Sequence, residues 1–168
     1  LKNNNRAYSS EGTDLKLQYN TDNQSLTIGY RDTEDSEDRF QVYATTDWMN
    51  GNLGDLTVGS DPGYSSNNRL TTAEATAFYI NEEVYFGALT VNLGFRSEEW
   101  TISQERYIDA ARSAISTENG YPKKLADSNN SLMGFGATYD MNDTTQFFFG
   151  FHEGFTPTGG GADPEEAD

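Results

Sequence analysis

Hydrophobic and polar residues alternate with a period of two in several short stretches of this chain. Bulky apolar residues take every second position in the segments 15–19, 26–30, 89–95, 133–139 and 147–151. Successive side chains of a β-strand point to opposite faces, so each segment predicts a strand with one apolar face. The segment 73–86 predicts a further strand. The pattern does not decide which residues form the apolar face of this strand. One possible set is Ala75, Ala77 and Tyr79, and the other is Phe78, Ile80 and Val84.

The connections between these segments alternate between short and long. Tight turns are predicted at 21–24, 87–88 and 141–144, whereas about 40 residues separate 31 from 72 and about 35 separate 97 from 130. Antiparallel strands reverse direction each time, so all short turns fall at one end and all long loops at the other. The sequence therefore predicts an all-β antiparallel meander of about six strands.

Composition and charge exclude several classes of protein. Acidic residues number 27 against 11 basic ones, a formal net charge of −16, whereas nucleic-acid binders need clustered cations. Cysteine is absent, which excludes disulfide scaffolds and thiolate metal sites. No apolar run approaches the roughly 20 residues of a spanning helix, so a membrane location requires a closed β-barrel.

Two architectures fit this pattern. Outer-membrane barrels combine short periplasmic turns, long external loops and a lipid-facing apolar stripe on each strand. Four tyrosines near the predicted strand ends fit the aromatic girdle of such a barrel: Tyr19, Tyr30, Tyr85 and Tyr139. The alternative is a secreted, soluble β-sandwich that binds glycan, in which the same apolar faces pack against a second sheet. A porin or adhesin-type barrel is a further alternative.

The C-terminal part of the chain, SLMGFGATYDMNDTTQFFFGFHEGFTPTGGGADPEEAD, resembles the barrel of TonB-dependent outer-membrane receptors, especially ferric-citrate and related ferric-siderophore transporters. The residues that match the family's motif for the end of a strand are Gly150, Gly154, Phe155 and Pro157. Those that match the family's following loop are Asp163, Pro164, Glu165 and Glu166. Upstream, a strand motif matches at Gly87, Leu89, Thr90, Val91, Gly94, Phe95 and Arg96.

This resemblance implies a transmembrane barrel of about 22 strands. Residues 1–168 would form a partial segment of it, with no plug domain and no enzyme activity. It implies location in the outer membrane of a Gram-negative bacterium. The implied partners are ferric citrate or another ferric siderophore, the lipid bilayer, and the TonB complex acting through the missing plug. The resemblance implies no cofactor.

Candidate ligand contacts are cationic and aromatic residues in or near the predicted long loops. Guanidinium groups bind carboxylates bidentately, as recognition of an anionic iron chelate requires. The arginines are Arg31, Arg39, Arg69, Arg96, Arg106 and Arg112, of which Arg39, Arg69 and Arg106 are the main candidates. The loop tryptophans Trp48 and Trp100 are the aromatic candidates.

Catalytic and metal-binding motifs are not found. The chain has no nucleophile elbow, no His-Glu-x-x-His pattern and no phosphate loop. The acidic run Asp32, Glu34, Asp35, Glu37 and Asp38 is interpreted as a solvated charge run above a strand. His152, the single histidine, is expected to face the barrel interior.

Overall fold

A computed structural model describes residues 5–49, 52–59 and 67–155. The main body is a six-stranded antiparallel sheet with the order β1-β2-β5-β6-β7-β8. Its strands are β1 (Arg6–Asn20), β2 (Gln24–Phe40), β5 (Asn68–Phe86), β6 (Leu89–Arg106), β7 (Lys123–Asn142) and β8 (Thr145–His152). The predicted all-β meander, with short turns at one end, is thereby confirmed.

The long connections contain additional short elements. Strands β3 (Ala44–Met49) and β4 (Asn52–Val58) form a separate two-stranded hairpin between β2 and β5. A single 3₁₀ turn, Glu118–Gly120, precedes β7. Within the described ranges, no helix has the length and apolar character to cross a membrane.

The strands continue much further than the alternation predicted, so the predicted loop lengths are wrong. Strand β2 runs to Phe40 and β5 begins at Asn68, while β6 runs to Arg106 and β7 begins at Lys123. Beyond the apolar rows the outer face is largely polar and the inner face mixes polar residues with Trp100 and Ile102. The outer row of bulky apolar residues therefore stops, although the hydrogen-bonded ladder continues. Glu34 opposite Glu74, for example, belongs to this continued pairing.

Register assigns every strand residue to a face, because directly paired residues point to the same side. We call the apolar side the outer face. The pairing series Leu17, Ile28, Ile80, Phe95 and Met133 crosses five adjacent strands on that face. Strand β5 therefore contributes Phe78, Ile80 and Val84 to the outer face, and Ala75, Ala77 and Tyr79 to the opposite, inner face.

The tyrosine girdle is confirmed only in part. Tyr19, Tyr30 and Tyr139 belong to the outer face by their pairing with Leu26, Phe78 and Leu89. Tyr85 pairs with Thr90 and points to the inner face, so its placement in the girdle is wrong. The neighbouring Phe86 takes the outer position at this end of β5.

The apolar outer face is not covered by a second layer in the described part of the chain. Leu17 is 69% exposed, Leu93 53%, Phe135 49% and Phe149 63%. The ring of Phe135 contacts only its sheet neighbours, with centroids 5.7 Å from Phe149 and 5.6 Å from Phe151. This arrangement differs from that of a soluble β-sandwich, whose inner faces are buried against each other.

Burial is concentrated on the inner face at the end opposite the short turns. Trp100 and Ile102 of β6 are buried there, together with Tyr121 from the connection before β7. Most of the other buried inner-face residues at this end are polar: Arg39, Gln41, Arg69, Thr71, Gln104 and Arg106. A polar buried cluster at the loop end of the inner face is the most constrained part of the molecule.

Candidate ligand-binding site

Four arginines form one row across four adjacent strands at the loop end of the inner face. Arg6 pairs with Arg39, Arg39 with Arg69, and Arg69 with Arg106. We call these four residues the arginine row. Like charges directly opposite each other in a sheet are destabilising, so this arrangement needs compensating negative charge.

Part of that compensation comes from a single glutamate in the next row of the inner face. Glu37 accepts a hydrogen bond from Arg6 Nη1 at 3.2 Å and forms an ion pair with Arg69 Nη2 at 3.7 Å. The hydroxyl of Tyr8 also donates to Glu37, at 3.3 Å. Glu37 therefore neutralises part of the positive charge of the arginine row, on a chain of net charge −16.

Neutral amides orient the remaining arginines. Arg39 Nε donates to Gln41 Oε1 at 2.8 Å, and Arg106 Nε donates to Gln104 Oε1 at 3.3 Å. Gln104 in turn donates to Thr71 Oγ1 at 3.1 Å. Side-chain amides fix the geometry of the guanidinium groups without neutralising them.

Tyr121, from the connection 107–122, covers this end of the site. Its ring stacks on Arg106, with the guanidinium carbon 4.1 Å from the ring centroid. Arg112 anchors the same connection on the outer face, by a bidentate pair with Asp38 and by a bond from Nε to Asn68 Oδ1 at 3.1 Å. The bond to Asp38 raises the pKa of Arg112.

The three main arginine candidates from the sequence are brought together, although not in loops. Arg39, Arg69 and Arg106 are buried and lie at the ends of β2, β5 and β6, next to the long connections rather than in them. Their strands were predicted too short because the outer apolar rows stop before the strands end. No sequence pattern pointed to Arg6, Glu37 or Tyr121 in this cluster, because only the strand register and the path of the connection place them there.

The tryptophan candidates are separated. Trp100 lies in β6 on the inner face, four residues before Gln104, and is buried rather than in a loop. Its Nε1 is buried without a hydrogen-bond partner among the described residues. Trp48 is a backbone partner of Leu53 in the β3–β4 hairpin, and its side chain lies outside the described structure.

The other arginines divide between the inner face and a loop. Arg31 and Arg96 lie on the inner face nearer to the short turns than the arginine row. Arg31 pairs with Ala77, and Arg96 pairs with Tyr79. All arginines of the six-stranded sheet therefore share the inner face, and only Arg112 lies in a connection. A basic inner face opposes an outer face that carries most of the carboxylates above the apolar rows: Glu11, Asp32, Glu34, Asp38, Glu74, Glu99, Glu105 and Asp127.

The acidic run is part of β2 rather than a segment above a strand, which corrects the prediction. Asp32, Glu34 and Asp38 point outward, whereas Asp35 and Glu37 point inward. Alternation splits the run between the two faces, so these carboxylates do not converge. Within residues 5–49, 52–59 and 67–155, no group of three or more His, Asp or Glu side chains could hold a metal ion.

The residues of the family motif lie along β6 and around the end of β8. Gly94 faces Gly134 across β6 and β7, and Gly150 faces Gly136 across β7 and β8, all on the inner face. His152 pairs with Gly134 and is on the inner face as expected. Gly154 and Phe155 follow β8 directly. Pro157, Pro164 and Glu165 lie outside the described residues.

A single-layer antiparallel sheet with an uncovered apolar face and a polar inner face is the wall of an outer-membrane-type β-barrel. Residues 1–164 match the family described as TonB dependent receptor-like, beta-barrel. The chain belongs to this family, whose members are outer-membrane receptors of Gram-negative bacteria and not enzymes. No curated protein matches the chain.

Proposed function

We propose that this chain forms part of the barrel wall of a receptor that takes up an anionic iron chelate in a TonB-dependent manner. Ferric citrate is the leading candidate and other ferric siderophores of negative charge are the wider class. Residues 1–168 form a barrel segment in the outer membrane, and energy reaches the ligand through a plug and the TonB complex. The arginine row is the observation that carries this proposal.

The chemistry of the row favours a ligand with several carboxylates. Each guanidinium presents a planar fork of donors that matches a carboxylate. Adjacent strands are about 4.8 Å apart, so neighbouring arginines can engage separate carboxylates of one chelate.

Access to the row requires movement of the segment 107–122. Arg69 is only 1% exposed, and the Tyr121 ring covers Arg106 at 4.1 Å. A chelate would displace Tyr121 from Arg106 and take its place. The family's long external loops close over ligand at this end of the barrel, and this segment is the corresponding connection in the chain.

The experiment is uptake of radioactive iron supplied as ferric citrate to cells that depend on this receptor. The double variant R39Q/R69Q keeps hydrogen-bonding side chains but removes two charges, and uptake should fall by about tenfold or more. The matched control is K124Q, which removes a cation at the same end of the sheet but on the outer face. Equal uptake by R39Q/R69Q and the wild type would overturn the proposal.

A neutral ferric hydroxamate serves as the specificity control. Its uptake should not depend on the arginine row, because it carries no carboxylate for a guanidinium to bind. Receptor-dependent uptake of the hydroxamate together with no uptake of ferric citrate would contradict the assignment to an anionic chelate.

A further inference from the structure

A groove of about 380 Å³ lies on the outer face of the sheet, across β5, β6 and β7. Its walls are apolar side chains from these three strands: Ile80, Leu93, Phe95, Met133 and Phe135. Glu82 is the one charged residue in its lining. The groove therefore combines an apolar surface with a single carboxylate on the face that contacts lipid.

Glu82 has no polar partner within the described part of the chain. Its direct neighbours across the sheet are Leu26 and Leu93, and it makes no hydrogen bond or ion pair there. Lys124 is the only cation on the outer face of the described sheet. It lies eleven residues before Phe135, which shares a row with Glu82, and is thus about 36 Å away along β7.

The remainder of a closed barrel would neither cover Glu82 nor neutralise it. Further strands would join the sheet at its edge strands, β1 and β8. A strand added beside β1 would be three strand spacings from β5, or about 14 Å, and a plug would lie on the opposite face. A partner for this carboxylate therefore has to come from the membrane.

Glu82 lies in the periplasmic half of the apolar rows. It is four residues before Phe86, where β5 ends at the short turn 87–88. This separation is about 13 Å along the strand, or about 10 Å of depth at a strand tilt of roughly 40°. Short turns are periplasmic in such barrels, so a glutamate extended toward the turn approaches the headgroups of the periplasmic leaflet.

The groove has the same polarity as a phospholipid of that leaflet. Ile80, Phe95 and Met133 form the next row of the outer face toward the long connections, so they lie deeper in the bilayer than Glu82. A lipid with its headgroup at Glu82 would place an acyl chain along this deeper row. An ionisable residue at membrane depth is costly and points to a functional contact.

We propose that the groove around Glu82 binds one phospholipid of the periplasmic leaflet that carries a primary ammonium headgroup. The ammonium group donates a charge-assisted hydrogen bond to the Glu82 carboxylate, and an acyl chain fills the apolar groove. Charge complementarity selects this headgroup, because an anionic lipid would be repelled and a quaternary ammonium has no N–H to donate. In a bilayer without such a lipid, the charge of Glu82 stays uncompensated and destabilises the barrel.

The test uses the receptor as the cell makes it, purified in detergent, titrated with phosphatidylethanolamine and analysed by native mass spectrometry. The wild type should bind one phosphatidylethanolamine more tightly than phosphatidylcholine. The E82Q variant keeps the shape of the side chain but removes its charge, and its affinity for phosphatidylethanolamine should fall about tenfold. The matched control is E83Q, which removes the same charge from the inner face and should leave the affinity unchanged.

Three results of this titration would overturn the lipid site. These are equal affinity of the wild type and E82Q for phosphatidylethanolamine, equal affinity of the wild type for the two lipids, or equal losses in E82Q and E83Q. None of them depends on which ligand the receptor transports, so they leave the proposed function untouched.

A crosslinking experiment in intact cells distinguishes a lipid from a protein partner. A photoreactive amino acid in place of Val84, the next outer-face residue on β5, should crosslink to lipid. Crosslinks to one polypeptide in most receptor molecules would assign the groove to a protein partner and overturn the lipid site.

Discussion

Arg39 and Arg69 lie directly opposite each other on adjacent strands, with both side chains buried on the inner face. Two guanidinium groups in this relationship, extended by Arg6 and Arg106 on either side, bring four planar donor forks into one row, and the proposed recognition of a carboxylate-bearing ligand depends on this geometry.

Removal of one of these charges should weaken the response of the receptor to an anionic ligand. With saturating ferric citrate, R39Q should lose most of the thermal stabilisation that the wild type gains, because one guanidinium fork that would bind a carboxylate is removed. Thermal melting of the purified receptor with and without ferric citrate measures this effect, with K124Q on the outer face as the control. Equal ligand-induced shifts in R39Q and the wild type would contradict a contact between Arg39 and the ligand.

Arg112 should hold the connection 107–122 in place. The D38N variant removes the charged partner of its bidentate pair, so trypsin should cleave after Arg112 faster than in the wild type. The control D127N removes the acidic partner of an exposed pair with Lys124 at 3.5 Å, which contributes little. Equal cleavage rates in D38N and D127N would show that Asp38 does not fix this segment.

Glu82 is the one carboxylate within the apolar rows of the outer face. It pairs with Leu26 and Leu93, so its side chain faces the lipid. Charged side chains on the lipid face of a barrel are destabilising. The E82L variant should raise the free energy of unfolding by about 1–2 kcal/mol, measured by denaturant titration in lipid vesicles. The E83L variant, on the inner face, should give no such gain, and an equal gain would contradict the face assignment.

Gly29 should be intolerant of any side chain. A Cβ at this position would enter the ring of Tyr79, so G29A should destabilise the protein by about 1–3 kcal/mol through overpacking. Gly150 is the matched control, because the nearest heavy atom to its Cβ would be the Phe135 carbonyl oxygen at 4.0 Å. Similar melting temperatures for G29A and G150A would contradict the packing of Tyr79 on Gly29.

The predictable part of the fold is the part that touches the lipid. Residues alternate at 89–95 and 133–139 because one side of the sheet faces hydrocarbon and the other faces polar groups. This alternation correctly predicted strands at both places. Above Phe78 and Phe95 the outer face is largely polar and the inner face mixes polar residues with Trp100 and Ile102, so no outer row of bulky apolar residues marks where β5 and β6 end. The site lies in that region, which explains why its arginines were expected in or near loops.

The composition of the site was predictable, whereas its geometry was not. Arg39, Arg69 and Arg106 were identified from the chemistry of carboxylate recognition. Their alignment depends on register over strands of 17 to 19 residues, and a shift of one residue would move any of them to the other face. Arg6 and Tyr121 join the cluster only through that register and through the path of the 107–122 connection.

In a barrel wall the apolar outer face contacts lipid and the inner face lines a polar lumen. Nitroxide labels at L93C and N92C, neighbouring positions on β6, test this assignment of the two faces in the receptor reconstituted in vesicles. The label at 93 should collide with oxygen dissolved in the bilayer and not with a water-soluble nickel complex, while the label at 92 should be less accessible to oxygen. A label at 93 that oxygen cannot reach, as it would be beneath a second protein layer, would contradict the barrel-wall assignment.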